Sequence, residues 1–277
     1  MSFVWLSLSL FCAKNNWNKL LEEGIEVFIK DQKAINNYAI SFNFLSGENI
    51  RLSLQATRED ALDVAKGADD FFKNYFSLAN FTVKKIRFPI DGVFKPMPMN
   101  SIQYGLYHGT PKTLDDVTNL TNFSKILIRA LKECTIDDET IITFAFYLQV
   151  SLIKILIKHV KAAVDLMFIT NRMENNETEI QEEIVLDVAL LDEIALDIMQ
   201  TERFDIELDW LNNWIDFNEL ELKKITGLNR SIEYFYNNKV SIISNCLGLN
   251  DNSRFLLNNG IQKALRKYLV HNHPDNF

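Results

Sequence analysis

Hydrophobic and polar positions follow two rhythms along this chain. In the first hundred residues, period two dominates. Leu6, Leu8 and Leu10 alternate with Ser7 and Ser9; Tyr38, Ile40, Phe42 and Phe44 alternate with Ala39, Ser41 and Asn43; Ile50, Leu52 and Leu54 alternate with Arg51, Ser53 and Gln55. Each run is the pattern of a strand with one buried face. The Ser46-Gly47 pair between the second and third runs predicts a hairpin turn. Between the first two runs, Trp17, Leu20, Leu21, Ile25 and Phe28 recur at helical spacing through 16–30. After the third, Thr57 with Asp60 three residues on reads as the cap of a second amphipathic helix through Val64, Ala68, Phe71, Phe72 and Tyr75. The segments 81–88 and 101–108 read as further strands, joined by a connection that contains Pro89, Gly92, Pro96 and Pro98.

Strand, helix, strand, strand, helix, strand, with one strand more, is the order of a split β-α-β arrangement, an antiparallel sheet with both helices on one face. From Leu114 onward the spacing is helical, over about 115–133, 137–161, 180–199, 207–225, 229–246 and 253–270. The expected fold class is therefore α+β, a single domain over 1–277 with a sheet-rich part, 1–110, and a helical part, 111–277. Packing the later helices on the bare sheet face would bury both apolar surfaces. The Asn- and Glu-rich stretch 172–178 reads as a surface loop.

The 277 residues are 47% hydrophobic, 24% charged and 12% aromatic, a globular composition with room for a core. Lys and Arg number 29 against 37 Asp and Glu, a formal charge of −8, opposite to the basic footprint of a nucleic-acid binder. The apolar start, 1–12, lacks a basic flank and a small-residue cleavage site and alternates like a strand, so it is not read as a signal peptide. Lys154, Lys158, His159 and Lys161 interrupt the most apolar region, and no membrane association is expected. Cys12, Cys134 and Cys246 are isolated, which indicates neither a disulfide framework nor a zinc site and fits a reducing cytoplasm.

Chemistry is harder to find. The acidic run from Glu174 to Asp209 interleaves with Ile184, Val185, Val188 and Leu191 at helical spacing and reads as a solvated helix face. His108, His159, His271 and His273 stand in no ligand spacing, and Gly-rich phosphate loops and nucleophile elbows are missing. No metal and no cofactor are expected. Arg51 stands out because it shares a strand face with Ser53 and Gln55, while Gln103 and Tyr104 lie on another strand. A guanidinium fork, an amide and hydroxyls on rigid strands suit a carboxylate or a peptide backbone. A solvated sheet face accounts for the same pattern. The candidate substrate-binding residues are Arg51, Ser53, Gln103 and Tyr104.

Over roughly the first 130 residues the order of motifs resembles the C-terminal elimination domain of nisin-type lantibiotic dehydratases and the stand-alone thiopeptide-type bacteriocin biosynthesis proteins. The strand Val4-Trp5-Leu6-Ser7-Leu8, the helix after it, the strand Tyr38-Ala39-Ile40-Ser41-Phe42, the strand Asn49-Ile50-Arg51-Leu52-Ser53-Leu54 and the segment Gln103-Tyr104-Gly105 occur in the family's order. The family's His-Leu-Arg-Leu-Arg keeps its first Arg as Arg51, with Asn49 and Ser53 at the His and second Arg positions. Its Glu-x-x-Arg-Tyr-Gly-Gly becomes 100–106, where Tyr104 and Gly105 match while Asn100 and Gln103 replace the charged pair. Its His-rich segment resembles 241–248, without a histidine.

The resemblance implies a role in maturing a ribosomally synthesised, post-translationally modified peptide. The family's reaction is β-elimination of glutamate from a glutamylated Ser or Thr of a precursor peptide, which needs a base and cationic anchors. Asn and Gln do not replace a formal charge. Related stand-alone members are pyridine synthases that join dehydroalanines in a formal [4+2] cyclisation, chemistry that leans on positioning. The competing reading is a catalytically degenerate protein that presents the precursor to a separate glutamylating dehydratase, through an edge strand.

Overall fold

The structure is a computed structural model that describes residues 2–44, 46–79, 81, 97–105, 113–159, 188–227 and 232–272. The chain divides into two compact units, Met1–Asp137 and Asp138–Phe277.

The first unit is built on a four-stranded antiparallel sheet of β1 (Phe3–Phe11), β2 (Asn37–Asn43), β3 (Asn49–Thr57) and β4 (Ser101–Tyr104), in the order β2-β3-β1-β4. This is the split β-α-β arrangement predicted from the alternation, within an α+β chain. Ser46 and Gly47 turn the hairpin with φ of 63° and 116°. A left-handed backbone of this kind costs glycine little and serine more.

The helical stretch 14–31 (α1) joins β1 to β2, and α2 (Ala61–Leu78) joins β3 to β4. Leu8, Leu10, Ile40, Phe42, Ile50, Leu52 and Leu54 form a closed apolar layer with Trp17, Leu20, Leu21 and Phe28 of α1 and Val64, Ala68 and Phe72 of α2. Trp17 lies 4.6 Å from Phe42, ring centre to ring centre, and its indole N–H donates to the Cys12 carbonyl at 3.1 Å, so the ring is buried without stranding a polar atom. Within α1, Leu20–Glu26 is a π-helical segment. At Gly24 a Cβ would come within 2.9 Å of Leu20 Cδ1 and 3.3 Å of the Tyr75 ring, and the Tyr75 hydroxyl donates to the Lys19 carbonyl at 3.1 Å.

Helix α3 (Leu114–Leu131) begins with a capping box between Thr113 and Asp116. It lies in the first unit and packs on edge strand β2. There the Ile40 N–H donates to Ser124 Oγ at 2.8 Å. Amphipathic spacing declares that a helix has a buried face; it does not declare what that face covers.

The second unit centres on α4 (Asp138–His159), surrounded by α5 (Val188–Gln200), α6 (Asp209–Gly227), α7 (Ile232–Cys246) and α8 (Asp251–Asn272). Their ends lie within three residues of the expected boundaries, except the start expected at 180, which falls outside the described residues. Helix α4 is long and apolar enough by composition to cross a membrane, contrary to the reading of that stretch as too interrupted, and 78% of the qualifying window is buried. It is the core helix of this unit. The Trp214 indole N–H donates to the Leu148 carbonyl at 3.1 Å, and the Asn212 amide pairs with both backbone groups of Phe204, at 3.0 and 2.9 Å. The Lys154 ammonium donates to the Thr201 carbonyl just past α5 and lies 5.5 Å from the centre of the Phe204 ring.

Residues 82–88 of the strand expected at 81–88, residues 106–108 of the one expected at 101–108, the loop at 172–178, the acidic residues 174–187, and His273 lie outside the described residues, as do the side chains of His159 and His271.

Candidate functional site

Register decides which sequence-predicted residues meet. Gln103 pairs with Ser9, Ser9 with Arg51, and Arg51 with Ser41, so these four residues form one straight row across all four strands. Directly paired residues of antiparallel strands project to the same face. Arg51 and Gln103 therefore share a face, two strand spacings or about 10 Å apart. Ser53 lies in the next row, paired with Ser7, and the two hydroxyls are hydrogen-bonded at 2.9 Å. Asn49, at the position of the family's histidine, is on this face too, one row to the other side.

The face is not washed by bulk solvent. Ser9 is 2% exposed, Ser7 8% and Asn49 1%, while Arg51, Ser53 and Gln103 are half-buried. Five-donor Arg51 with flanking amides and hydroxyls can grip a carboxylate or backbone carbonyls on an unmoving platform. The row holds no group that accepts a proton near neutral pH. Sequence reasoning singled out Arg51, Ser53 and Gln103; Ser9 and Ser41, which complete the row, were legible as polar strand positions and become site residues only once the pairing is known.

Tyr104 goes elsewhere. It pairs with Leu8, on the apolar face, and its hydroxyl donates to Asp69 of α2. Lys73 completes a chain to Asp69 at 2.6 Å. The Lys73 ammonium first, and the Tyr104 hydroxyl after it, hold the Asp69 carboxyl below the usual carboxylate range, while burial and the Asp69 hydrogen bond push the Tyr104 phenol up. Beside Tyr104 a cavity of about 390 Å³ opens among Leu6, Leu8, Leu54, Ala65 and Ala68. Here β1 continues past the end of β4, and the Gly105 N–H still reaches the Ser7 carbonyl at 3.2 Å. Tyr104 and Arg51 thus lie on opposite faces of the sheet, on the two strands that flank β1, and do not form a single cluster.

Neither buried cysteine favours thiol chemistry. Burial pushes the Cys246 thiol up to about 12, and burial with the nearby Glu48 charge pushes Cys12 up as well, so neither is a ready thiolate. Among the described residues no three His, Cys, Asp or Glu side chains converge on a point that could hold a metal ion.

No family model matches the chain. No curated protein matches it. Among solved structures the chain is similar to the pyridine synthase TbtD from thiomuracin biosynthesis, with a TM-score of 0.59 and 14% identity over 95% of this chain and 98% of that one. It is also similar to the tRNA-dependent lantibiotic dehydratase MibB from Microbispora sp. 107891, with a TM-score of 0.57 and 11% identity over 97% of this chain and 28% of that one. This chain therefore spans little more than a quarter of the dehydratase and nearly the whole of the synthase. At such identity the likeness is one of fold, and it is the fold of the proteins that the order of sequence motifs resembles.

Proposed function

On the premise of a fold shared with a thiopeptide pyridine synthase and with part of a lantibiotic dehydratase, we propose that this chain acts in the maturation of a ribosomally synthesised, post-translationally modified peptide. The observation that carries the reading is the row Gln103, Ser9, Arg51, Ser41, a polar strip across the sheet of this fold, with one guanidinium at its middle. Such a strip can hold the backbone of a precursor peptide and one of its carboxylates. Residues 1–277 then work as one domain, in a reducing cytoplasm, with the precursor as partner.

Elimination of glutamate asks more of the strip than it has. Asn49, Ser53, Asn100 and Gln103 stand at positions where the resembling family carries charge. Cyclisation of dehydroalanines, which depends on positioning, tolerates that loss. The same loss favours a second reading, a precursor-binding scaffold for a separate glutamylating dehydratase.

Incubation of the protein with a glutamylated precursor and, in parallel, with a dehydrated one, followed by mass spectrometry, separates them. Loss of glutamate with a new unsaturated residue identifies an eliminase; a dehydrated precursor converted to a macrocycle identifies a cyclase; tight binding at unchanged mass identifies the scaffold. Arg51→Ala weakens precursor binding by about ten-fold or more in every case, as expected for losing a charge-assisted bond. Equal affinity and turnover for wild type and variant would remove the strip from the site.

A further inference from the structure

A second cavity, of about 180 Å³ and lined by charged side chains, lies in the first unit away from the strip, between α1, β2 and α3. Three cations line it, Lys30, Lys125 and Arg129, together with Glu26, Tyr38, Ile29 and Ile128. In a chain of net charge −8 this is a local reversal of sign.

The charges are not all spoken for. Glu26 is bound to Lys30 at 3.0 Å and lies 3.9 Å from Lys132. Lys125 and Arg129, one turn apart on α3, are exposed and have no carboxylate within 4.0 Å among the described residues. Residues four apart on a helix present their side chains together. Between the two helices the Tyr38 phenol is half-buried and has no hydrogen-bond partner among the described residues. Burial, and after it the Glu26 charge, push it up to about 12, so it is an O–H donor at any physiological pH.

We propose that this cavity is a binding site for an acidic, aliphatic stretch of a peptide: a Glu or Asp side chain taken by the Arg129 fork, Lys125 and the Tyr38 hydroxyl, with a neighbouring apolar side chain against Ile29 and Ile128. The ligand class follows from the lining. A single guanidinium with one lysine and one phenol matches the donors that a monoanionic carboxylate accepts. Glu26, fixed by its own lysines, weighs against a more highly charged phosphate. The isoleucine walls want a hydrocarbon neighbour, which a phosphodiester backbone lacks. The proposal rests on the peptide-binding part of the function above and on none of its chemistry.

The test uses the full chain and a fluorescein-labelled synthetic peptide of alternating leucine and glutamate pairs, followed by anisotropy. The peptide contains no residue that the protein could modify, so its result stands apart from precursor turnover. Binding by wild type, and loss of about ten-fold or more in affinity for the Lys125→Ala/Arg129→Ala double variant, are expected. The peptide with glutamine for glutamate should bind as weakly to wild type as the acidic peptide does to that variant. An Arg129→Glu variant should in turn prefer a lysine-for-glutamate peptide, a reversal that a merely damaged fold would not produce. Equal affinity for the acidic and glutamine peptides, or for wild type and double variant, would overturn the proposal. So would displacement of the peptide by inorganic phosphate or a short RNA at matched charge concentration, which would make the site a general anion site or a nucleic-acid site.

Discussion

Tyr104 shows what one register step does to a residue. Its neighbour Gln103 pairs with Ser9 on the polar face; Tyr104 pairs with Leu8 and turns to α2, where its hydroxyl meets Asp69. The period-two alternation of the segment was visible, but which parity faced which way depended on how β4 lines up with β1. The local consequence is testable by titration. Asp69 is held below the usual carboxylate range mainly by Lys73 and secondarily by Tyr104. Tyr104→Phe removes the second donor, so the Asp69 midpoint rises toward its ordinary value and stays below it. A lowered carboxyl pKa stabilises the fold above the unfolded-state value and ceases to do so as pH falls through the folded-state value. Any stability gap between wild type and variant should accordingly close on acidification. NMR titration of the Asp69 side-chain carboxyl reads the shift directly, and an unmoved midpoint would mean that the hydroxyl does not reach Asp69 in solution.

Among the elements, β1, β2, β3 and their two helices were legible because each gathers its apolar residues on one face, and a one-sided apolar face writes a period into the sequence. Helix α3 was equally legible as a helix, but its spacing did not say that it packs on β2. Its attachment to the sheet involves Ser124, whose hydroxyl accepts from the Ile40 N–H at 2.8 Å and donates to the Leu120 carbonyl at 2.7 Å. Serine within a helix carries no sign of which strand it will meet. Edge strands left bare are templates for unwanted pairing, and a helix that satisfies an edge N–H closes one. Ser124→Ala leaves that N–H buried with no acceptor, a loss of about 1–3 kcal/mol. Urea unfolding should show a lower midpoint at an unchanged slope, because the surface exposed on unfolding hardly changes. A variant as stable as wild type would mean that water or a shifted backbone replaces the hydroxyl. The cavity lined by Lys125, Arg129 and Tyr38 escaped the sequence for a related reason: cations on the outer side of an amphipathic helix read as a solvated face, and only the juxtaposition of α1, β2 and α3 gathers them.

At the scale of the whole molecule, net charge and local charge pull an acidic peptide in opposite directions. The chain carries −8, while Lys30, Lys125 and Arg129 surround one cavity and Arg51 centres the polar strip. Distance decides which is felt. At about 0.01 M salt the screening length is about 30 Å, comparable with the molecule, and an approaching anion meets the total charge. At about 0.1 M it is about 10 Å, so the distant carboxylates fade and the cations nearest the cavity remain. Association of the leucine-glutamate peptide should therefore quicken as salt rises over that range, and slow again toward about 1 M, where the length falls to about 3 Å and the local attraction is screened too. Dissociation should quicken throughout, since the contacts that hold the peptide are charge-assisted. Stopped-flow fluorescence at the three salt concentrations measures both rates. An association rate that falls steadily from the lowest salt upward is the signature of a protein whose whole field attracts the peptide, and it would contradict a cationic pocket set in an acidic surface.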